Sequence, residues 1–274
     1  MTGKKVFGVI AISLLAGLFT LSDARQEARS VYLQIDYLKV APDDITDFLQ
    51  MMEELWKPVH EERLQRGVIT NWSMYEVLIH EPGASYNFVI IHTFDDFRNI
   101  YSSYSDDVIT TVFPGEELNE LKRNLRAGSE TVNSELWQVE GEVTGEDVNI
   151  HTGAYITKNY MDSRGGTGEH TAMELDFWGP IHRVRLDTDI LNSWAMYTLV
   201  KPGGDARNYT YSTIDYYGKL GDIEGSVGMD LARIAHPDKS DSELQDYFSR
   251  TGASRDVIKT ELWRSILTVN PLAQ

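Results

Sequence analysis

Two short segments of this chain each combine an indole, an imidazole and a guanidinium at helical spacing. In the first, His60 lies four residues after Trp56, and Arg63 lies three residues after His60, so all three share one helix face. The second segment repeats the pattern with Trp178, His182 and Arg185. An imidazole beside an indole can ligate a metal or a haem or act as a general base, and an arginine can hold a carboxylate. The two histidines and the two arginines are therefore the candidate catalytic residues.

An aromatic stretch follows each segment and is predicted to be a strand. It holds Trp72 and Tyr75 in the first case, and Trp194 and Tyr197 in the second. Together with Trp56 and Trp178, these side chains are candidates to line a pocket, because aromatic cavities suit flat apolar ligands. The alternative is that the aromatic residues are core, and that each tryptophan and histidine only fixes how its helix packs. The other histidines form no closely spaced pair, so no metal site is predicted and no particular cofactor is indicated.

Both segments belong to a longer internal repeat. Residues 54–60 match residues 176–182 at an offset of 122, which also relates Arg63 to Arg185. Further matches occur in the same order: residues 72–75 with 194–197, 82–83 with 202–203, 93–95 with 213–215, and 135–137 with 261–263. Such ordered matches predict a tandem duplication. We place the two units at residues 25–143 and 148–274, with a joint near residues 141–147.

Each unit is predicted to run strand, helix, strand, strand, short helices, strand. In the first unit, strands are expected at residues 31–40, 68–79, 88–94 and 132–143, from their aliphatic and aromatic content. A helix should begin after Pro42, with apolar residues spaced by three and four, and Pro58 should kink it near Glu54. In the second unit, strands are expected near residues 149–160, 190–200, 207–215 and 257–269.

The predicted class is α+β, because a four-stranded antiparallel sheet with helices on one face must cover its other face, and a second such sheet can do so. The motif Trp-x-Pro-x-His near the end of a kinked helix, followed by glycine and an aromatic strand, resembles the dimeric α+β barrel superfamily. That superfamily includes antibiotic-biosynthesis-type and haem-degrading monooxygenases, NIPSNAP and EthD-like proteins, and chlorite dismutase-like enzymes. The resemblance implies two tandem ferredoxin-like repeats that form an intramolecular dimeric α+β barrel. It does not select a reaction, since a fold hosts many activities.

Composition narrows the possible partners. The 274 residues are 42% hydrophobic, which is enough for a large core, and they carry a net charge of −17, which disfavours nucleic acid and anionic membranes. The absence of cysteine excludes disulfides and thiolate metal sites. Residues 1–24 read as a secretory signal peptide, with Lys4 and Lys5 before a short apolar run, so export to the periplasm or the medium is expected.

Three functions are compatible with these features. The first is a small-molecule enzyme, a monooxygenase-like oxidoreductase with a pocket between helix and sheet. The second is a non-catalytic carrier for a hydrophobic or aromatic small molecule. The third is a purely structural or interaction protein. Assembly into a homo-oligomer is left open.

Overall fold

Eight antiparallel strands form one closed barrel in the order β1-β3-β2-β8-β5-β7-β6-β4. The computed structural model describes residues 30–101, 105–125, 127–145, 151–164, 167–203, 207–224 and 228–270. The predicted signal peptide lies outside the described residues. The strands are β1 (Tyr32–Lys39), β2 (Asn71–Ile79), β3 (Phe88–Phe94), β4 (Glu130–Thr144), β5 (Tyr155–Ser163), β6 (Ser193–Lys201), β7 (Tyr211–Tyr217) and β8 (Arg255–Val269).

Short helices pack on the outside of this barrel. They are α1 (Ile45–Met51), α2 (Lys57–Gln65), α3 (Asp106–Val112), α4 (Leu118–Asn124), α5 (Thr167–Ala172), α6 (Gly179–Asp187), α7 (Met229–Ala235) and α8 (Asp241–Ser254). The mixed α and β character predicted from the sequence is therefore confirmed. No helix in the described part of the chain has the length and apolar content that crossing a membrane requires.

The barrel closes through strand pairs between the two halves of the chain. Within each half the strand order is the same, β4-β1-β3-β2 in the first and β8-β5-β7-β6 in the second. Strand β2 then pairs with β8, with Trp72 opposite Val269, and β4 pairs with β6, with Val143 opposite Trp194. Each half thus supplies a four-stranded sheet whose edges the other half completes.

A π-helical turn precedes each proline of the Trp-x-Pro-x-His motif. Residues Met52–Trp56 form this turn between α1 and α2, and Met173–Trp178 form it between α5 and α6. Pro58 has no N–H to donate to the carbonyl of Glu54, so the regular helical hydrogen bond is lost there and the helix widens by one residue. The helix is therefore irregular at the place where the kink near Glu54 was predicted, with a π-helical turn at Met52–Trp56.

Strand alternation divides the side chains between the barrel interior and the surface under the helices. Trp72 and Met74 pack outward against the helices of the first half, whereas Tyr75 belongs to the core inside the barrel. The predicted strand at residues 149–160 starts too early, because β5 begins at Tyr155. Gly153 has a left-handed φ of 91° and makes a turn just before it.

Candidate functional site

In the first half, α2 and the sheet enclose a stack of aromatic rings around His60. The imidazole lies between Trp56 and Trp72, with ring centroids 5.5 and 4.4 Å away and nearly parallel planes. Arg63 Nη1 lies 2.9 Å from His60 Nδ1 and 3.3 Å from Nδ1 of His92, a β3 residue that was not predicted. The structure thus brings the predicted residues Trp56, His60, Arg63 and Trp72 together; we call these four and His92 the first cluster.

Burial keeps the imidazoles of the first cluster neutral. His60 is 1% exposed, and burial, together with the charges of His92 and Arg63, holds its pKa well below the usual value. Burial also lowers the pKa of His92. A neutral imidazole can accept a hydrogen bond at Nδ1, so both rings act as acceptors for Arg63.

The second half repeats this arrangement around His182, which stacks between Trp178 and Trp194 at 6.1 and 4.6 Å. Arg185 Nη1 lies 2.9 Å from His182 Nδ1 and donates to Asp215 Oδ1 at 2.8 Å. Its Nη2 donates to the Tyr217 hydroxyl at 3.0 Å. Burial beside Arg185 lowers the pKa of His182 to about 3. These six residues form the second cluster.

The two clusters differ in how the arginine is held. Asp215 lies opposite Trp194 in the strand register, the position that His92 takes opposite Trp72. The guanidinium of Arg185 is thus neutralised by a buried carboxylate, whereas Arg63 contacts a second imidazole. Tyr75 and Tyr197, the two predicted pocket tyrosines, belong to neither cluster, because both lie inside the barrel.

A polar network inside the barrel was not predicted. The side chain of Glu135 on β4 is fully buried. Its Oε2 accepts from the Tyr37 hydroxyl at 2.8 Å and from Trp137 Nε1 at 3.1 Å. Its Oε1 accepts from Asn133 Nδ2 at 3.2 Å and from the hydroxyl of Tyr209, a residue of the second half. Four donors therefore satisfy this carboxylate.

Glu261 on β8 is held in the equivalent way by the other half of the chain. Its Oε2 lies 3.1 Å from Trp263 Nε1 and 3.3 Å from the Tyr160 hydroxyl. Its Oε1 accepts from Lys259 Nζ at 2.9 Å and from the hydroxyl of Tyr86, which comes from the first half. The Tyr37 and Tyr160 hydroxyls lie 2.8 Å apart and join the two carboxylates into one hydrogen-bonded chain.

A buried lysine lies beside this network. Lys158 Nζ donates to Ser212 Oγ at 2.6 Å and lies 4.1 Å from the Trp137 ring centroid. Burial lowers the pKa of Lys158 to about 7, although Glu135 and Glu261 act in the opposite direction. The interior of the barrel therefore contains charged groups that affect one another, Lys158, Glu135 and Glu261, and is not a uniform apolar core.

The network opens to solvent through a cavity of about 570 Å³ at one end of the barrel. We call it the mouth cavity. Tyr37, Tyr86 and Tyr209 line it together with Arg207 and Lys259, so both halves contribute to it. Arg207 Nε lies 3.4 Å from Glu135 Oε1, and its side chain is 30% exposed. Burial, reinforced by the charge of Glu261, raises the pKa of Tyr86, so this hydroxyl stays protonated.

One sequence signal did mark this site. Glu135-Leu136-Trp137 and Glu261-Leu262-Trp263 match at an offset of 126, so the sequence repeat includes both glutamates. A glutamate two residues before a tryptophan in an apolar strand points inward beside it, because strand side chains alternate. Among the described residues, no group of three or more histidine, aspartate or glutamate side chains is arranged to hold a metal ion.

Comparison with solved structures places this barrel among known folds. A Fusobacterium nucleatum protein proposed to be a monooxygenase superposes with a TM-score of 0.51 and 12% identity, over 89% of this chain and 96% of that one. A protein of the same proposed activity from Lactobacillus acidophilus gives a TM-score of 0.51 and 8% identity, over 88% and 96%. An anthrone oxidase-like protein gives 0.49 and 10% identity, over 89% and 94%. The first two superpositions show that the chain has the dimeric α+β barrel fold. No protein-family model and no curated protein matches its sequence.

Proposed function

We propose that this protein binds a small, flat weak acid, such as a phenol or an enol, in the mouth cavity. The observation that carries the proposal is the cavity itself, which brings Arg207, Lys259 and the Tyr86 hydroxyl together around about 570 Å³. That volume suits a ligand of one or two rings, and tyrosine rings provide flat apolar contacts. The two cations can stabilise the conjugate base of such a ligand.

The two helix–sheet clusters support a structural role better than a catalytic one. His60, Arg63, His182 and Arg185 are at most 6% exposed, and all of the tryptophan–histidine stacks recur in both halves. Each half needs these residues if they pack its helix against its sheet, whereas a single active site would need them in one half only. The mouth cavity is therefore a better candidate for the site than the two helix–sheet clusters.

The proposed activity is that of a monooxygenase-like oxidoreductase. A phenolate or enolate is more easily oxidised than its conjugate acid, so a site that stabilises the anion prepares it for reaction with molecular oxygen. The competing function is a carrier that binds the same compound without turnover. Oxygen consumption, measured with an oxygen electrode while phenols and enolisable diketones are added in turn, separates the two.

Binding of 4-nitrophenol tests the proposal directly, because its absorbance reports both binding and ionisation. A charged hydrogen bond contributes about 1.5–3 kcal/mol, so Arg207→Gln should weaken binding about tenfold or more. Arg233→Gln removes an arginine on α7 that is 48% exposed and is bonded to Asp230 and Asp241, which do not line the cavity. This variant should leave binding unchanged. Failure of the wild-type protein to bind the probe saturably, or equal binding by the Arg207 variant, contradicts the proposal.

We further propose that the barrel arose by tandem duplication and that the protein is exported. The duplication is supported by the matching strand order of the two halves and by their ordered sequence matches. Export is supported by the basic start and short apolar run of residues 1–24. Expression of the full chain in a bacterium, followed by N-terminal sequencing of the periplasmic fraction, should show a chain that starts near residue 25.

A further inference from the structure

The hydroxyl chain between the two buried glutamates has three oxygen–oxygen contacts but only two hydroxyl protons. The contacts run from Glu135 to Tyr37 at 2.8 Å, from Tyr37 to Tyr160 at 2.8 Å, and from Tyr160 to Glu261 at 3.3 Å. Each tyrosine can donate one proton. Because the two tyrosines bring two protons to three contacts, one contact lacks a proton, and the chain has a place for one more.

The two glutamates differ in the cation that lies beside them. Glu135 accepts from four uncharged donors, Tyr37, Trp137, Tyr209 and Asn133, and Arg207 Nε lies 3.4 Å from its Oε1. Glu261 accepts from the uncharged donors Trp263, Tyr160 and Tyr86 and from Lys259 Nζ at 2.9 Å. A proton that moves onto Glu261 therefore removes the charge that Lys259 faces, and this cation can then pair with a ligand anion.

The route from the mouth cavity to Glu261 passes through Tyr86. This residue lines the cavity, is only partly buried, and donates its hydroxyl proton to Glu261 Oε1. Its oxygen also accepts from Lys259 Nζ at 3.2 Å, which leaves one lone pair for a ligand hydroxyl. The equivalent residue on the other side, Tyr209, is only 6% exposed and stacks on Trp137.

We infer that Glu261 is the general base of this site and that it acts through Tyr86. The inference rests on the proposed binding of a weak acid in the mouth cavity. The ligand O–H bond breaks as its proton passes to the Tyr86 oxygen, while the Tyr86 proton passes to Glu261 Oε1. The electron pair of the broken bond stays on the ligand oxygen. Lys259, which contacts both Glu261 and Tyr86, is placed to pair with the new anion.

Calorimetric titration with 4-nitrophenol tests this assignment, at a pH where the free probe is protonated and in two buffers of different ionisation enthalpy. The wild-type protein should bind the probe as the coloured anion and release no proton to the buffer, since Glu261 keeps it. Glu261→Gln should lose this property, so that the probe either binds colourless or releases one proton per molecule. Glu135→Gln removes the other buried carboxylate of the network and tests the competing base: its affinity for the probe can change, but it should still retain the proton.

Tyr86→Phe provides a second variant that leaves both buried carboxylates intact. It should abolish proton retention as Glu261→Gln does, while its melting temperature stays close to that of the wild type because Tyr86 is partly exposed. The inference is overturned by a wild-type protein that binds neutral probe or releases a proton, or by loss of retention in Glu135→Gln but not in Glu261→Gln. A wild-type protein that does not bind the probe at all refutes the proposed function instead.

Discussion

The contribution of the second cluster to the free energy of unfolding can be tested at the ion pair between Arg185 and Asp215. The two side chains are 4% and 10% exposed, and Arg185 Nη1 lies 2.8 Å from Asp215 Oδ1. Burial raises the pKa of Asp215 even though Arg185 acts in the opposite direction. Asp215→Asn keeps the shape of the side chain but leaves the buried guanidinium without a counter-charge.

Removal of one partner from a buried ion pair costs about 3–5 kcal/mol. Arg185 keeps two acceptors in this variant, the Tyr217 hydroxyl at 3.0 Å and His182 Nδ1 at 2.9 Å. We therefore expect a loss near the lower end, about 3 kcal/mol. In a domain of this size, each kcal/mol lowers the melting temperature by about 2–4 °C, so the variant should melt about 6–12 °C lower.

Urea unfolding, followed by tryptophan fluorescence, measures this loss. Trp72, Trp137, Trp194 and Trp263 are at most 1% exposed and should report the transition. The double variant Arg185→Met/Asp215→Leu should recover most of the stability, because an apolar pair of similar volume often replaces a buried ion pair without loss. A single variant within about 1 kcal/mol of the wild type, or a double variant no more stable than the single one, refutes the reasoning.

Three further predictions concern the histidines and the barrel halves. His170 is 1% exposed and packs on Tyr211, and neither of its ring nitrogens has a hydrogen-bond partner among the described residues. His170→Phe should therefore raise the free energy of unfolding by about 1–3 kcal/mol, and a lower melting temperature contradicts this. The folded-state pKa is about 4 for His170 and about 3 for His182, whereas both have a pKa of about 6.5 in the unfolded chain. Below about pH 6.5 the unfolded state therefore binds more protons than the folded state does. Stability should therefore be complete above pH 6.5 and fall as the pH drops towards 4; melting curves from pH 7.5 to 4.5 that stay flat contradict this. Residues 30–144 expressed alone should dimerise, because β2 and β4 lose their partners β8 and β6, and sedimentation of a folded monomer disproves it.

Local patterns in the sequence predicted most of the secondary structure. The third strand was predicted at residues 88–94, and β3 has the same bounds, because the turns on either side of this apolar run mark where the strand begins and ends. Pro58 predicted the irregular turn before α2, since a missing N–H acts within a few residues. Helical spacing also predicted that Trp56, in the π-helical turn, lies beside His60 and Arg63 of α2, because i, i+4 and i+7 neighbours on a helix need no tertiary information.

The site inside the barrel depended on contacts that no local pattern encodes. The offset of 126 marked Glu135 and Glu261 as equivalent, and alternation turned both inward. Their decisive partners come from the opposite half, since Tyr209 donates to Glu135 and Tyr86 donates to Glu261. These pairs form only once β4 joins β6 and β8 joins β2. By itself the sequence predicted most of the elements and the match between residues 135–137 and 261–263. Barrel closure decided which polar groups meet, because a hydrogen bond between residues 74 or 175 positions apart depends on how whole sheets pack.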